Sequence, residues 1–260
     1  MSLRNGYLVT VFWPALRVLH KMRKHPETRH VHFTVESTDS VELFCTLLGD
    51  NREAAVVVAH PAITGSALGQ VVDLADELAR SFSVITFDFR GHGKSSGRCP
   101  VGFSSVASDL HAVVEEVGKM GFGKIGFAGF SLGAAAGFLV ESREPCFDCF
   151  VSIGCPPSLP DVGPWSQHPL ISRVGARILG MRLDPTLDRG PDPLDVAADM
   201  PSVPKLMVFA EYEVATPEEI EEFTGRISSP KDIITIPGVW HADLGGREAL
   251  IREWLQSALS

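Results

Sequence analysis

Two stretches of the chain set a serine between glycines at G-x-S-x-G spacing: Gly93-Lys94-Ser95-Ser96-Gly97 and Gly129-Phe130-Ser131-Leu132-Gly133. That spacing suits a sharp strand-to-helix turn that exposes a nucleophilic hydroxyl. Glycine is needed because side chains two positions either side of the serine would clash. Context separates the two matches. Residues 124–127 read as a strand before Gly129, and 132–141 as an Ala/Gly-rich helix after Ser131. Gly97 is followed by Arg98-Cys99-Pro100-Val101-Gly102, which cannot start a helix. Gly93-Lys94-Ser95 also fails as a phosphate loop, because G-x-x-x-x-G-K-[ST] needs glycine at 88 and Asp88 stands there.

A serine hydroxyl needs a base, and the base needs an orienting acid. His241 lies in Gly238-Val239-Trp240-His241-Ala242-Asp243, ahead of the last helical stretch. Glu213 lies in Ala210-Glu211-Tyr212-Glu213-Val214-Ala215-Thr216-Pro217. Glu211, two residues earlier, would point the same way if the strand continued, and a carboxylate near Asp161 is a further alternative.

The elements that must position these groups are legible as periodicities. Residues 30–36 and 41–48 alternate around Ser37-Thr38-Asp39-Ser40, which predicts an antiparallel hairpin. Residues 54–59 (AAVVVA) and 84–87 (VITF) are continuous apolar runs, as expected of strands buried on both faces. Helical periods follow over 71–82 and 104–120. Further strands are predicted at 149–153, 206–209 and 233–236, and helices at 218–227 and 247–258. A hairpin followed by repeated strand–helix units means a mostly parallel sheet with helices on both faces. Ligands of such sheets sit beyond the carboxyl ends of the strands. His60-Pro61-Ala62, the stretch from Asp88, Ser131, Glu213 and His241 all fall there.

The segment 155–200 breaks the rhythm. It holds eight prolines and one helical pattern, 169–179, and long inserts in compact domains are usually lids or binding loops. Pro157, Leu159, Trp165, Leu170, Ile171, Val174 and Ile178 would line such a lid or pack it on the core.

With 260 residues, 45% apolar and 21% charged, the chain can bury one sizeable core. A net charge of −9 repels nucleic acid, and no basic stripe appears in the body. The charge is uneven, since residues 1–30 hold six Lys and Arg against one acid. Residues 7–19 within that end are mostly apolar and too short to span a bilayer. The basic end reads either as a helix packed on the domain or as an interfacial membrane helix over residues 3–24. Five cysteines (45, 99, 146, 149 and 155) without regular spacing argue against a disulfide framework. Cys146 and Cys149 open a strand, the wrong context for a redox pair. No grouping of histidines and acids has metal-ligand spacing.

Taken together, His60-Pro61 with Gly65-Ser66, Asp88-Phe89-Arg90-Gly91-His92-Gly93-Lys94-Ser95, Gly129-Phe130-Ser131-Leu132-Gly133, Glu213 with Thr216-Pro217, and His241-Ala242-Asp243 resemble the motifs of serine α/β-hydrolases, in the compact esterase and serine-aminopeptidase-like group. They cover roughly residues 30–258 in the family's order. The resemblance implies an α/β-hydrolase fold with a short lid, residues 30–260, preceded by a basic and apolar extension, 1–29. It implies Ser131 as nucleophile, His241 as base and Glu213 as orienting acid. The N–H groups of Ala62 and Leu132 would hold the oxyanion, and no cofactor is implied. Serine at the turn excludes the dehalogenase and epoxide-hydrolase chemistries, which place aspartate there. His60 and His92 resemble the family's structural loop histidines.

Two departures stand out. The family's acid, three residues before Thr-Pro, is usually aspartate, and here it is Glu213. The oxyanion loop usually reads His-Gly, and here it reads His60-Pro61. Proline cannot donate, which leaves the N–H of Ala62, or of Ile63 if the loop slips by one. The implied activity is cleavage of a small-molecule acyl ester by a cytoplasmic enzyme. Alternatives are a lipase or acyl-protein thioesterase that uses residues 3–24 at a membrane, a serine peptidase that uses Asp184, Asp188, Asp192 and Asp195 to hold an amine, and a non-catalytic binding protein of this fold.

Overall fold

A computed structural model of the chain describes residues 30–62, 65–159, 176–177, 180–188 and 190–260. The hairpin forms as predicted: β1 (His30–Glu36) and β2 (Glu42–Leu48) pair antiparallel. β3 (Ala54–Ala59) is buried along its whole length. It runs into α1 (Gly69–Leu78), then β4 (Ser83–Phe87), a short β5 (Cys99–Gly102), α2 (Ser104–Lys119), β6 (Lys124–Phe130), α3 (Leu132–Arg143) and β7 (Cys149–Ile153). After the insert come β8 (Leu183–Asp188), the one-turn α4 (Pro193–Val196), β9 (Lys205–Tyr212), α5 (Pro217–Arg226), β10 (Lys231–Trp240) and α6 (Glu248–Ala258).

Eight of these strands form one sheet in the order β1-β2-β4-β3-β6-β7-β9-β10. Only β1–β2 and β2–β4 are antiparallel, and the rest of the sheet is parallel. The period-two pattern of β3 divides the core. Ala55, Val57 and Ala59 face a cluster with Leu110, Phe127 and Phe138, on the side of α2 and α3. Ala54, Val56 and Val58 face a cluster with Leu74, Ile251 and Leu255, on the side of α1 and α6. Side chains that alternate in direction but are apolar at every position can only be buried on both faces.

From β3 the chain steps outward to β4 and then returns across β3 to β6. The strand order therefore reverses between β3 and β6, and a crevice opens beyond their carboxyl ends. β3 feeds the loop at His60 and β6 feeds Ser131.

The sequence does not betray the parallel pairing of β5 with β8. Each is short and contains proline (Pro100, Pro185), which removes a ladder donor and masks the strand pattern. The pair stitches the return limb of the 155–200 insert to the loop after β4. The Cys99 N–H donates to the Arg182 carbonyl at 2.9 Å, and the Arg182 N–H donates to the Gly91 carbonyl at 2.7 Å. Of the expected helix at 169–179 only Ala176 and Arg177, both helical, are among the described residues; the lid residues Trp165, Leu170, Ile171, Val174 and Ile178 fall outside them, as do Asp161, Ile63 and the extension 1–29. Among the described residues, no helix is long and apolar enough to cross a membrane.

Candidate active site

The turn at Ser131 joins β6 directly to α3. Ser131 takes φ 47° and ψ −108°, a region that L-residues enter only when the surroundings force it. The flanking glycines make this feasible. A Cβ on Gly133 would lie 2.5 Å from the Ala59 carbonyl oxygen, and one on Gly129 would lie 2.6 Å from the Ala134 nitrogen. The Ser131 N–H is held by the Ile153 carbonyl at 2.8 Å, which ties the turn to β7. Leu132 opens α3, so its N–H is among the first-turn donors without an intrahelical acceptor.

Ser131 Oγ lies 2.8 Å from His241 Nε2. The other ring nitrogen, Nδ1, is hydrogen-bonded to Glu213 Oε2. These partners place the ring proton on Nδ1 and leave the Nε2 lone pair for the serine hydroxyl. His241 follows the last residue of β10. Its N–H donates to the Tyr212 carbonyl at 2.9 Å, and Gln70 Nε2 donates to the next carbonyl, that of Ala242, at 2.8 Å. Glu213 sits just past β9, its side chain 5% exposed. Its Oε1 accepts the Ala210 N–H at 2.9 Å and its Oε2 the Val214 N–H at 3.3 Å. Thr216 and Glu219 then form a reciprocal capping box with Pro217 at the first helical position, which ends the loop by starting α5.

Glu211 does not reach the histidine. β9 continues through it, and its carboxylate accepts the Gly238 N–H at 2.7 Å from the exposed side of the sheet. The structure thus brings Ser131, His241 and Glu213 into one hydrogen-bonded chain and leaves Glu211 out.

Ala62 closes the loop from β3, on the neighbouring strand of the crevice. That loop is held by a carboxylate whose role the sequence does not reveal. Asp88, at the end of β4, accepts the Ser66 N–H and hydroxyl on Oδ1 at 2.8 and 2.7 Å, and the Lys94 N–H on Oδ2 at 2.8 Å. A Cβ on Gly93 would collide with Asp88 Oδ2 at 2.1 Å. Ser95, the rival serine, is buried. Its hydroxyl donates to the Asp88 carbonyl and accepts the Phe44 N–H at 2.8 Å. It is a structural bolt between β2 and the loop after β4. Arg90 clamps the same loop from the other side, binding Asp109 of α2 and Asp39 of the hairpin turn, each at 2.7 Å.

The five cysteines are free. Burial pushes the thiols of Cys45, Cys99 and Cys149 up to about 12 and raises those of Cys146 and Cys155, the opposite of an activated thiolate. Among the described residues, no group of three or more His, Cys, Asp or Glu side chains is disposed to hold a metal. The four insert aspartates do not converge on a ligand. Asp188 caps α2 at the Ser105 N–H, Asp192 and Asp195 cap α4, and Asp184 accepts the Thr186 N–H.

The sheet order, the turn at Ser131 and the order of its partners define an alpha/beta hydrolase. The sequence model of the alpha/beta hydrolase family matches residues 55–260, and the chain belongs to that family. Among solved structures it is similar to the esterase Pf2001 of Pyrococcus furiosus, with a TM-score of 0.73 and 18% identity over 90% of this chain and 92% of that one. It is also similar to a thermophilic esterase of Thermogutta terrifontis, with a TM-score of 0.66 and 20% identity over 89% of this chain and 100% of that one. Likeness at such identity establishes the shared fold. A curated relative from Agrobacterium fabrum, which carries the name carbamate hydrolase RutD, is 32% identical over 100 residues. The match spans 36% of each chain.

Proposed function

We propose that this protein is a serine hydrolase that cleaves small-molecule carboxylic esters through an acyl-enzyme on Ser131. The observation that carries the reading is the hydrogen-bonded chain from Ser131 Oγ through His241 to Glu213, on a backbone turn strained at the serine alone. His241 Nε2 takes the hydroxyl proton as Oγ attacks the ester carbonyl, and returns it to the departing alcohol. Glu213 keeps the Nδ1 proton in place and stabilises the imidazolium. The oxyanion is received by the N–H groups of Ala62 and Leu132, each contributing ~3 kcal/mol to the transition state. Water, activated by the same histidine, then releases the acid. No cofactor takes part.

In this reading residues 30–260 form the hydrolase domain, with a lid within 155–200, and 1–29 are an extension; membrane contact through 3–24 belongs to the alternative of a lipase or acyl-protein thioesterase. The engagement of Asp184, Asp188, Asp192 and Asp195 by local backbone N–H groups weighs against a peptidase that needs free acids for a substrate amine. The partial match to a protein named for carbamate hydrolysis makes carbamates the second substrate class to test, since the same attack applies to their carbonyl.

The test is labelling of Ser131 with a fluorophosphonate, followed by hydrolysis of nitrophenyl esters of rising acyl length. Ser131→Ala should take no label and lose all turnover. A wild-type protein that neither labels nor cleaves any ester or carbamate offered would mark a binding protein of this fold. Deletion of residues 3–24 that lowers activity on vesicle-bound ester while sparing soluble ester would favour that membrane alternative.

A further inference from the structure

The serine-hydrolase reading leaves open how the Ala62 N–H is aimed in a loop where proline replaces the family's glycine. Two buried histidines answer this. His60 Nδ1 lies 2.6 Å from the Pro61 carbonyl oxygen, and its Nε2 accepts the Phe89 N–H at 2.9 Å. A backbone N–H can only donate and a carbonyl can only accept, so the His60 proton is on Nδ1. The ring is fully buried, and burial lowers its pKa to about 3, so it stays neutral in this tautomer. The Pro61–Ala62 peptide is trans, so its N–H points opposite to the carbonyl that His60 grips. Gripping the Pro61 carbonyl therefore sets the direction of the Ala62 N–H.

The next carbonyl is held by the second ring. His92 Nε2 lies 3.1 Å from the Ala62 carbonyl oxygen, and its Nδ1 lies 3.0 Å from the Arg90 carbonyl oxygen. Both partners are acceptors, and a neutral imidazole has one proton to give. His92 is as buried as His60, and the two rings meet edge to face with centroids 4.9 Å apart. Ala62 is thus fixed at the peptide on either side of it, by one ring each.

We infer that His60 and His92 are positioning residues for the oxyanion donor at Ala62, His60 acting through Nδ1 on the Pro61 carbonyl and His92 through Nε2, which faces the Ala62 carbonyl. The inference rests on the serine-hydrolase reading, and it makes an atom-specific demand. An asparagine amide reaches about where Nδ1 stands in histidine, and a glutamine amide about where Nε2 stands. His60→Asn should keep the grip on Pro61 and His60→Gln should lose it. His92→Gln should keep the grip on Ala62 and His92→Asn should lose it.

The experiment measures kcat and KM for a soluble nitrophenyl ester in the full-length protein and the four variants. Fluorophosphonate labelling of each and thermal melts accompany it. An oxyanion donor acts in the transition state, so the loss belongs in kcat with KM unchanged. His92→Asn and His60→Gln should lower kcat by about 10²-fold, with KM within about twofold. His92→Gln and His60→Asn should stay within about fivefold of the wild-type kcat, although all four variants melt lower. Where the His60 pair fails to fold, the His92 pair decides alone. Equal kcat in His92→Gln and His92→Asn, or losses that follow melting temperature and not the identity of the amide, overturns the inference while wild-type labelling keeps the hydrolase reading. A wild-type protein that takes no label overturns both.

Discussion

Glu213 folds back on Ala210. One carboxylate oxygen accepts the Ala210 N–H three residues upstream, so the other is turned toward His241. The extra methylene of glutamate over aspartate is taken up by this short loop, and the N–H of Ala210, the last buried residue of β9, becomes the clamp on the carboxylate.

That clamp predicts an ordered set of losses. Glu213→Gln would present an amide to His241 Nδ1 and favour the wrong ring tautomer, with a fall in kcat of about 10⁴-fold. Glu213→Asp should fall by about 10²-fold, because a carboxylate drawn back by roughly 1 Å cannot hold Ala210 and His241 together. Glu211→Gln should stay within about twofold, since it caps Gly238 on the far side. Steady-state kinetics on one soluble ester checks all three, and a larger loss from Glu211 than from Glu213 would reverse the assignment.

The close approach at Gly133 predicts a contrast between two glycine-to-alanine changes. Gly133→Ala drives a methyl into the Ala59 carbonyl and should cost roughly 2–4 kcal/mol of stability, or displace Ser131 and cut kcat by more than about tenfold. Gly118→Ala lies in α2 with nothing within 4 Å of the new methyl, and should stabilise the protein by about 0.5–1 kcal/mol. Denaturant titrations and ester kinetics on both variants read the difference.

Asp39 is held by Arg90 and by the Ser37 hydroxyl, and its pKa is lowered from 3.8 to about 2. A carboxylate depressed in the folded state adds stability above its unfolded pKa and loses it as pH falls through the folded one. The contribution should be complete above about pH 4 and fade toward pH 2. With the side chain about half exposed, solvent screening keeps it to about 1 kcal/mol or less. Melting curves of wild type and Asp39→Asn should differ at pH 6 and converge near pH 2. Asp109→Asn removes the fully buried partner of the same arginine and should cost about 3–5 kcal/mol.

The buried histidines carry the opposite chemistry and the same sign. His60 and His92 are held neutral by burial, which lowers both below the ordinary 6.5, with Asp88 and Arg182 as the charged groups acting on His92. The unfolded chain binds protons that the folded one refuses, so stability falls as pH drops below about 6.5. His60 contributes about 1.4 kcal/mol per pH unit until its folded pKa, near 3, is reached, and His92 adds in the same direction. Denaturant-derived stabilities should fall along this slope between about pH 6.5 and 4, and His60→Asn should remove the His60 share of it.

The order of legibility in the sequence follows the range of each interaction. Ser131 was readable because its evidence is local: a strand before, small residues after, and glycines two positions either side. The sheet was readable because strands such as β3 are apolar at every position. Glu213 and Glu211 could be ranked but not separated, since the choice depends on where β9 stops, and β9 runs further than its apolar stretch. The role of Asp88 is not legible in the sequence, because its partners, Ser66 and Lys94, lie in loops whose approach no local pattern encodes. The β5–β8 pair is hidden for a related reason, because two proline-bearing strands about eighty residues apart carry no periodic signal.

The return limb of the insert has a consequence of its own. Met181 forms a backbone bridge with His92, and Arg182 is bonded through its backbone to Gly91 and Cys99. The imidazole of that same His92 holds the loop of Ala62. The chain at Met181 and Arg182 is therefore joined through its backbone to the same loop whose His92 ring meets the Ala62 carbonyl. Changes at 181 and 182 would be felt in turnover for every substrate alike.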